Sequence, residues 1–266
     1  MKITTTFDVI IVGGGLAGLT SAIHLSTRKK RVLLIEKNEY PKHKVCGEYI
    51  SNEVLPYLNS LGINPINEGA KQITKVHIST TKSNLIKGEL PLGGFGMSRY
   101  FLDNLLVKKA QLNGVQILKD TVDSIHFKKD SFTITTKSSG VFQSKITIGA
   151  FGKRSSLDQK MKRKFIQKKS PYLAVKIHVK GVFPENLVAL HNFKGGYCGV
   201  SKVEDNAINV CYITEYRSFK KHKNITDFQE QVVFKNEHLR KIFKESTPVF
   251  EKPLTISQVS FQTKNP

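Results

Sequence analysis

Three cysteines, Cys46, Cys198 and Cys211, are all that the 266 residues contain. They are too few and too scattered for a disulfide framework or a zinc cluster, and at least one thiol must stay unpaired. The chain therefore reads as a cytoplasmic protein of a reducing compartment, with no metal site. It also lacks any stretch near the roughly 18 uninterrupted apolar residues of a membrane span, so no integral membrane segment is expected. The apolar run near the N-terminus resembles a secretion signal only superficially. Gly13, Gly14 and Gly15 break it, and Phe7 and Asp8 precede it where a signal would carry basic residues. Acidic residues are scarce: 21 Asp and Glu stand against 42 Lys and Arg, a net charge of +21. Such an excess raises nucleic-acid binding as a reading. Much of it, however, is lysine spread along the chain. The two denser runs, Lys160 to Lys169 and Lys220 to Lys223, lack the interleaved aromatics of a base-stacking platform. The expectation is a solvated basic surface that steers anionic substrates or an acidic carrier protein, with no nucleic-acid partner. Internal repeats and low-complexity linkers are absent too.

What is present begins at once. Phe7 to Val12 is apolar apart from Asp8, as a parallel strand buried on both faces requires. Gly13-Gly14-Gly15-Leu16-Ala17-Gly18 follows and satisfies G-x-G-x-x-G. Leu16, Leu19, Ala22 and Ile23 then recur at helical spacing towards Arg28, and Arg31 to Ile35 forms a second short strand closed by Glu36. The glycine pattern alone is weak, but strand, turn, helix, strand and acidic residue together specify a dinucleotide-binding βαβ unit. Gly13 permits the tight turn, Gly15 lets a pyrophosphate approach the backbone, and Gly18 lets helix and strand pack closely. The first helical N–H groups, at Leu16 and Ala17, are unpaired and face the phosphates with the positive end of the helix dipole. Glu36 lies 18 residues beyond Gly18, where its carboxylate can accept ribose hydroxyls and would repel a 2′-phosphate. The adjoining Lys37 completes the unit.

Further along, Pro41 to Gly47 reads as a loop, and Ser51 to Leu61 as a helix that Pro56 kinks or interrupts. Gln72 to Leu92 turns to strand patterns. Gly93, Gly94 and Gly96 read as a flexible entry to a helix capped by Ser98 and stopped at Asn113-Gly114. Val122 to Phe127, Phe132 to Thr136 and Val141 to Ile148 suggest an antiparallel meander with a turn at Ser138-Ser139-Gly140. Tyr172 to Val179 alternates as a half-buried strand. Strands around 188–193, 196–203 and 207–213 extend a second sheet. A helical region spans Phe228 to Phe243, and Ile256 to Phe261 returns as a strand.

Four segments carry a family resemblance. They are Asp8 to Glu36; Lys44-Val45-Cys46-Gly47-Glu48; Ser98-Arg99 to Leu102-Asp103 and Leu106; and Gly149-Ala150-Phe151-Gly152-Lys153-Arg154-Ser155. Together they resemble the flavoprotein superfamily of aromatic hydroxylases and geranylgeranyl reductases, with Phe151 in place of that superfamily's aspartate. The resemblance implies an α/β fold, a Rossmann-like FAD/NAD(P)-binding domain with an interleaved mixed β-sheet substrate domain. Residues 1–71 and 93–168 would form the first and residues 72–92 and 169–258 the second. Residues 259–266 would begin a return to the first, truncated because no Gly-Asp pair, the superfamily's third cofactor segment, occurs in the sequence. The cofactor implied is FAD, with NAD(P)H as electron donor. Beyond Gly13, Gly15, Leu16, Ala17, Gly18, Glu36 and Lys37, the implied cofactor residues are Lys44, Cys46 and Gly47 near the isoalloxazine, Arg99 near phosphate or flavin oxygens, and Val122 beside the adenine. On the residues alone, Arg99 could instead pair with Asp103 one helical turn along, and Cys46 could be a small apolar filler. The implied activity is an FAD-dependent oxidoreductase on a hydrophobic or carrier-bound small molecule. Reduction of a carbon–carbon double bond is favoured by the Cys-Gly loop. Monooxygenation and a non-catalytic fragment with weak nucleotide binding are the alternatives.

Overall fold

The computed structural model describes residues 5–167, 170–259, 261, 263 and 264. The Lys168-Lys169 end of the basic run, and positions 260, 262, 265 and 266 of the expected return segment, lie outside the described residues. In chain order the elements are β1 (Thr5–Val12), α1 (Leu16–Thr27), β2 (Val32–Glu36), β3 (Tyr49–Ser51), α2 (Leu55–Ser60), β4 (Lys71–Ser79), β5 (Leu85–Gly96) and α3 (Arg99–Leu112). Next come β6 (Gln116–Lys119), β7 (Val122–Lys128), β8 (Ser131–Thr136), β9 (Val141–Gly149), α4 (Ser156–Lys160) and β10 (Tyr172–Gly181). The rest are β11 (Leu187–Phe193), β12 (Gly196–Lys202), β13 (Ile208–Glu215), α5 (Tyr216–Phe219), α6 (Ile225–Gln231), α7 (Glu237–Lys244), β14 (Ser246–Pro248) and β15 (Leu254–Ser257).

Six strands form one sheet in the order β6-β2-β1-β9-β8-β7. Its β6-β2-β1-β9 half is parallel, and β9 doubles as the last strand of the antiparallel meander. The alternation of a strand buried on both faces is visible residue by residue. Val9, Ile11, Val32 and Leu34 pack with Leu19 and Ile23 of α1 and Leu102 and Leu106 of α3. Ile10, Val12, Leu33 and Ile35 fill the opposite face with Val122, Ile134 and Leu157. Each such aliphatic side chain contributes about 1.5–3 kcal/mol through burial, which fixes the glycine turn between β1 and α1 to a rigid base. The second sheet is mixed, in the order β14-β10-β13-β12-β11-β4-β5-β3, with β15 also on β10.

Several local expectations hold. Ser98 caps α3 by accepting the Phe101 N–H, and Asn113 ends that helix before Gly114 at φ 80°. Others are corrected. Pro56 sits in the first turn of α2, where its missing N–H costs nothing; the helix expected from Ser51 is interrupted just before it, a 3₁₀ turn over Asn52–Val54 preceding α2. Gly93, Gly94 and Gly96 are the end of β5, not a flexible linker. A Cβ on Gly94 would meet the Tyr49 ring at 2.5 Å, and one on Gly96 the Lys202 carbonyl at 2.0 Å; glycine there serves close packing. The 228–243 region is two helices separated by a 3₁₀ turn at Val233–Lys235, with Asn236 capping α7. The returning strand is shorter, Leu254–Ser257, and pairs with β10 of the second sheet. Most consequential, β10 is buried on both faces, not half-buried, and Lys176 and His178 lie within it at 0% and 4% exposure.

Candidate functional site

The glycine turn has the geometry its spacing demands. Gly13 takes φ 105°, and a Cβ on it would strike the Ala150 carbonyl at 2.5 Å; a Cβ on Gly18 would strike the Gly13 carbonyl at 1.9 Å. Gly15 differs: nothing lies within 4 Å of where its Cβ would be. It is the N-cap of α1, with no side chain capping the helix. The amides at the start of α1, Leu16 half-buried and Ala17 exposed, thus border open space with the positive helix end towards it. Glu36 closes the turn, accepting the Gly14 N–H at 2.7 Å and the Asn38 N–H at 2.9 Å. Glu36, the exposed Lys37, Gly13 and Val122 line one cavity of about 100 Å³.

Cys46 and Gly47 are elsewhere. They line a chamber of about 580 Å³ whose walls include Val188, Leu190, Tyr197 and Tyr212 of the second sheet. Its lining also includes Gln258 and the charged pair Lys153-Arg154, the latter from the same 149–155 segment whose Ala150 and Phe151 back onto Gly13. That segment spans the distance between turn and chamber. Lys44 and Arg99 do not point at either cavity in this state; both converge on the fully buried Asp103. Lys44 Nζ donates to it at 2.5 Å, and Arg99 donates in bidentate fashion at 2.8 and 3.0 Å. The i,i+4 pairing open for Arg99 is therefore present, and it holds the guanidinium beside the chamber loop. Burial opposes the Arg99 charge, but the Asp103 carboxylate, helped by Cys46, more than offsets it and holds the guanidinium above its ordinary value.

Sequence reasoning missed the group beneath that loop. Glu48 is 1% exposed. Its carboxylate accepts the Arg99 N–H at 2.7 Å, pairs with His178 Nε2 at 2.6 Å, and forms a fully buried ion pair with Lys176. Burial pushes this carboxyl up, yet His178 and Lys176 together bring it below its ordinary value. Asn209, also buried, donates to the Gly47 carbonyl at 2.8 Å. The signal available was the pair of polar residues, Lys176 and His178, on one face of a strand otherwise apolar. Burial pushes the Cys211 thiol up to about 12 and the Cys198 thiol well above its ordinary value.

Burial also lowers His191 to about 4 and His43 to about 4; His238 and His77 assist at His191, and Lys176 and His178 at His43. Unfolded imidazoles titrate near 6.5, so between about pH 6.5 and 4 the unfolded state binds more protons. Stability is then full above pH 6.5 and is lost as pH falls towards 4. The buried His191 contributes most, on the order of 1–2 kcal/mol between pH 7 and 5. Urea unfolding at the two pH values should show that drop, and His191→Gln should flatten it; an equal drop in the variant would count against this assignment.

Residues 8–45 match the family described as FAD dependent oxidoreductase. Over 157 residues the chain is 26% identical to a digeranylgeranylglycerophospholipid reductase of Methanococcus aeolicus, covering 57% of this chain and 39% of that protein. Over 175 residues it is 32% identical to the FAD-dependent monooxygenase cle3 of Aspergillus versicolor, covering 60% and 35%. The matches thus span less than half the length of these relatives. The flavin-dependent brominase Bmp2 superposes with a TM-score of 0.79 at 19% identity, over 95% of this chain and 67% of that one. The myxobacterial chondrochloren halogenase CndH does so with a TM-score of 0.78 at 15% identity, over 96% and 64%. These likenesses show the mixed α/β fold of FAD-binding oxidoreductases. The sequence matches show relatives among FAD-dependent reductases and monooxygenases. Among the described residues no helix is long and apolar enough to cross a membrane.

Proposed function

We propose that this chain, a relative of FAD-dependent reductases and monooxygenases, binds FAD with its ADP half along Gly13–Gly18 and its isoalloxazine at the Lys44–Gly47 loop. There it acts on a hydrophobic or carrier-bound small molecule. The observation that carries the proposal is the chamber: largely apolar, walled by Cys46 and Gly47, and joined to the glycine turn through residues 149–155. The turn fits a pyrophosphate, because the space before Gly15 is open and the α1 N-terminus is uncapped. Glu36, at the end of β2 with its carboxylate already accepting the Gly14 and Asn38 N–H groups, would take ribose hydroxyls, and Val122 lines the small cavity where an adenine would lie.

When bound, FAD supplies the two-electron chemistry, and the protein supplies binding, orientation and exclusion of water. In this reading Arg99, steered by Asp103, places positive charge beside the loop. Apolar walls from β11 to β13 hold the substrate and keep water from the reacting centre. NAD(P)H is the proposed donor, and reduction of a carbon–carbon double bond the proposed reaction. The Lys44–Glu48 loop and the reductase relative support it.

The test is turnover of a polyprenyl alkene by the FAD-loaded protein with NADH or NADPH, without oxygen. The expected result is a saturated product with one NAD(P)H consumed per double bond. Product that forms only with oxygen, and carries an added oxygen atom, would replace the reductase reading with the monooxygenase one. Filling the chamber should block either reaction. A Cβ on Gly199 meets only ordinary contacts at 3.8 Å, so Gly199→Phe should fold, bind FAD and lose turnover of long substrates by about tenfold or more.

A further inference from the structure

The segment from Lys44 to Glu48 has no regular secondary structure, and side chains from distant elements hold its backbone. Lys176 of β10 donates to the Lys44 carbonyl at 3.2 Å. Asn209 of β13 donates to the carbonyls of Cys46 at 3.3 Å and Gly47 at 2.8 Å. The Glu48 carbonyl accepts the Met97 N–H at 3.1 Å. Glu48 itself takes φ 55°, in the left-handed region that non-glycine residues seldom adopt. Such a conformation persists only where the surroundings over-determine it. Here they do: the side chain is tied to Lys176, to His178 and to the first amide of α3.

We infer that Glu48 is a positioning residue: by joining β10 to the start of α3 it fixes Cys46 and Gly47 as one wall of the chamber, in register with Arg99. The ties converge on this loop from three elements. β10 contributes Lys176 and His178, β13 contributes Asn209, and α3 contributes the Arg99 amide and, through Asp103, the anchor for Lys44. An irregular loop with its carbonyls bonded to side chains can be released without unfolding either sheet, whereas a strand cannot. The role concerns the proposed reaction only because that wall is read as the one facing the flavin; the arrangement itself is tested without flavin.

The experiment is iodoacetamide labelling of the flavin-free full chain with peptide mapping. Cys211 lines the chamber under the loop, within reach of the Cys46 backbone. Cys198 packs in the core on the other face of the sheet. In Glu48→Gln, Cys211 labelling should rise roughly tenfold or more while Cys198 stays protected, the signature of local opening. Asn209→Ala keeps every charge and should give a smaller rise, roughly threefold, again at Cys211 alone. Cys211 rates unchanged in both single variants would overturn the inference. So would equal rises at Cys198 and Cys211 in both, because Glu48 and Asn209 would then hold the whole fold and not the loop. A separate FAD titration of the wild-type chain keeps the two ideas distinct: the labelling pattern without FAD binding would leave Glu48 its role and overturn the cofactor reading alone.

Discussion

Gly15→Val should weaken FAD binding severely and leave the fold intact, whereas Gly18→Val should break the dinucleotide half outright. The two glycines are three residues apart in one turn, yet the structure gives their missing side chains opposite surroundings. A Cβ on Gly15 enters empty space, and its backbone, at φ −80° and ψ −173°, suits any L residue. Valine is a poorer N-cap residue than glycine, so the substitution should cost about 1 kcal/mol of stability, too little to unfold the domain. The added isopropyl group would occupy the space through which a pyrophosphate reaches the helix amides, so the FAD dissociation constant should rise about 100-fold or more, roughly 2.7 kcal/mol. A Cβ on Gly18 lies 1.9 Å from the Gly13 carbonyl. Neither backbone can yield without displacing β1 from α1, so a loss of about 3 kcal/mol or more is expected. Flavin fluorescence quenching and thermal melts of both variants would separate the effects. Wild-type affinity in Gly15→Val would mean that no phosphate sits at this turn.

Lys176→Met should cost about 3 kcal/mol of folding stability, read as a shift of the urea midpoint at constant slope. Removing one member of a fully buried pair leaves the other's charge uncompensated, which is the expensive way to disturb it. The cost falls towards the lower end because Glu48 keeps His178 and the Arg99 N–H as partners. The double variant with Glu48→Gln should cost clearly less than the sum of the singles, since no charge is then stranded. Additive losses would show that Lys176 and Glu48 act independently, against the geometry seen.

What could be read along the chain, and what could not, divides by sequence distance. The βαβ unit was legible because strand, turn, helix and acidic residue fall within residues 7–37, and each part leaves a local mark: apolar runs, glycines, helical spacing. The Ser98 cap and the Asn113-Gly114 stop were legible for the same reason. The Glu48 network was not. Its partners Lys176 and His178 lie 128 and 130 residues away, and a lone lysine and histidine alternating with apolar residues look like the wet face of a strand. Only the packing of β10 beneath the Cys46 loop turns that face inward. The glycines of β5 misled in the opposite sense. Gly94 and Gly96 look like a hinge, and it takes the Tyr49 ring and the Lys202 carbonyl, brought in by folding, to reveal that they are there for lack of room.

In the proposed arrangement one FAD would span the molecule, its ADP at the α1 N-terminus and its flavin ring at the Cys46-Gly47 wall. This arrangement is tested most directly by protection of Cys46 from iodoacetamide in the presence of FAD and, separately, of ADP. FAD should slow Cys46 labelling about tenfold at saturation, while ADP, which fills only the glycine turn, should compete with FAD for binding and leave Cys46 exposed. Saturating FAD that leaves Cys46 as reactive as in the flavin-free protein would contradict the account.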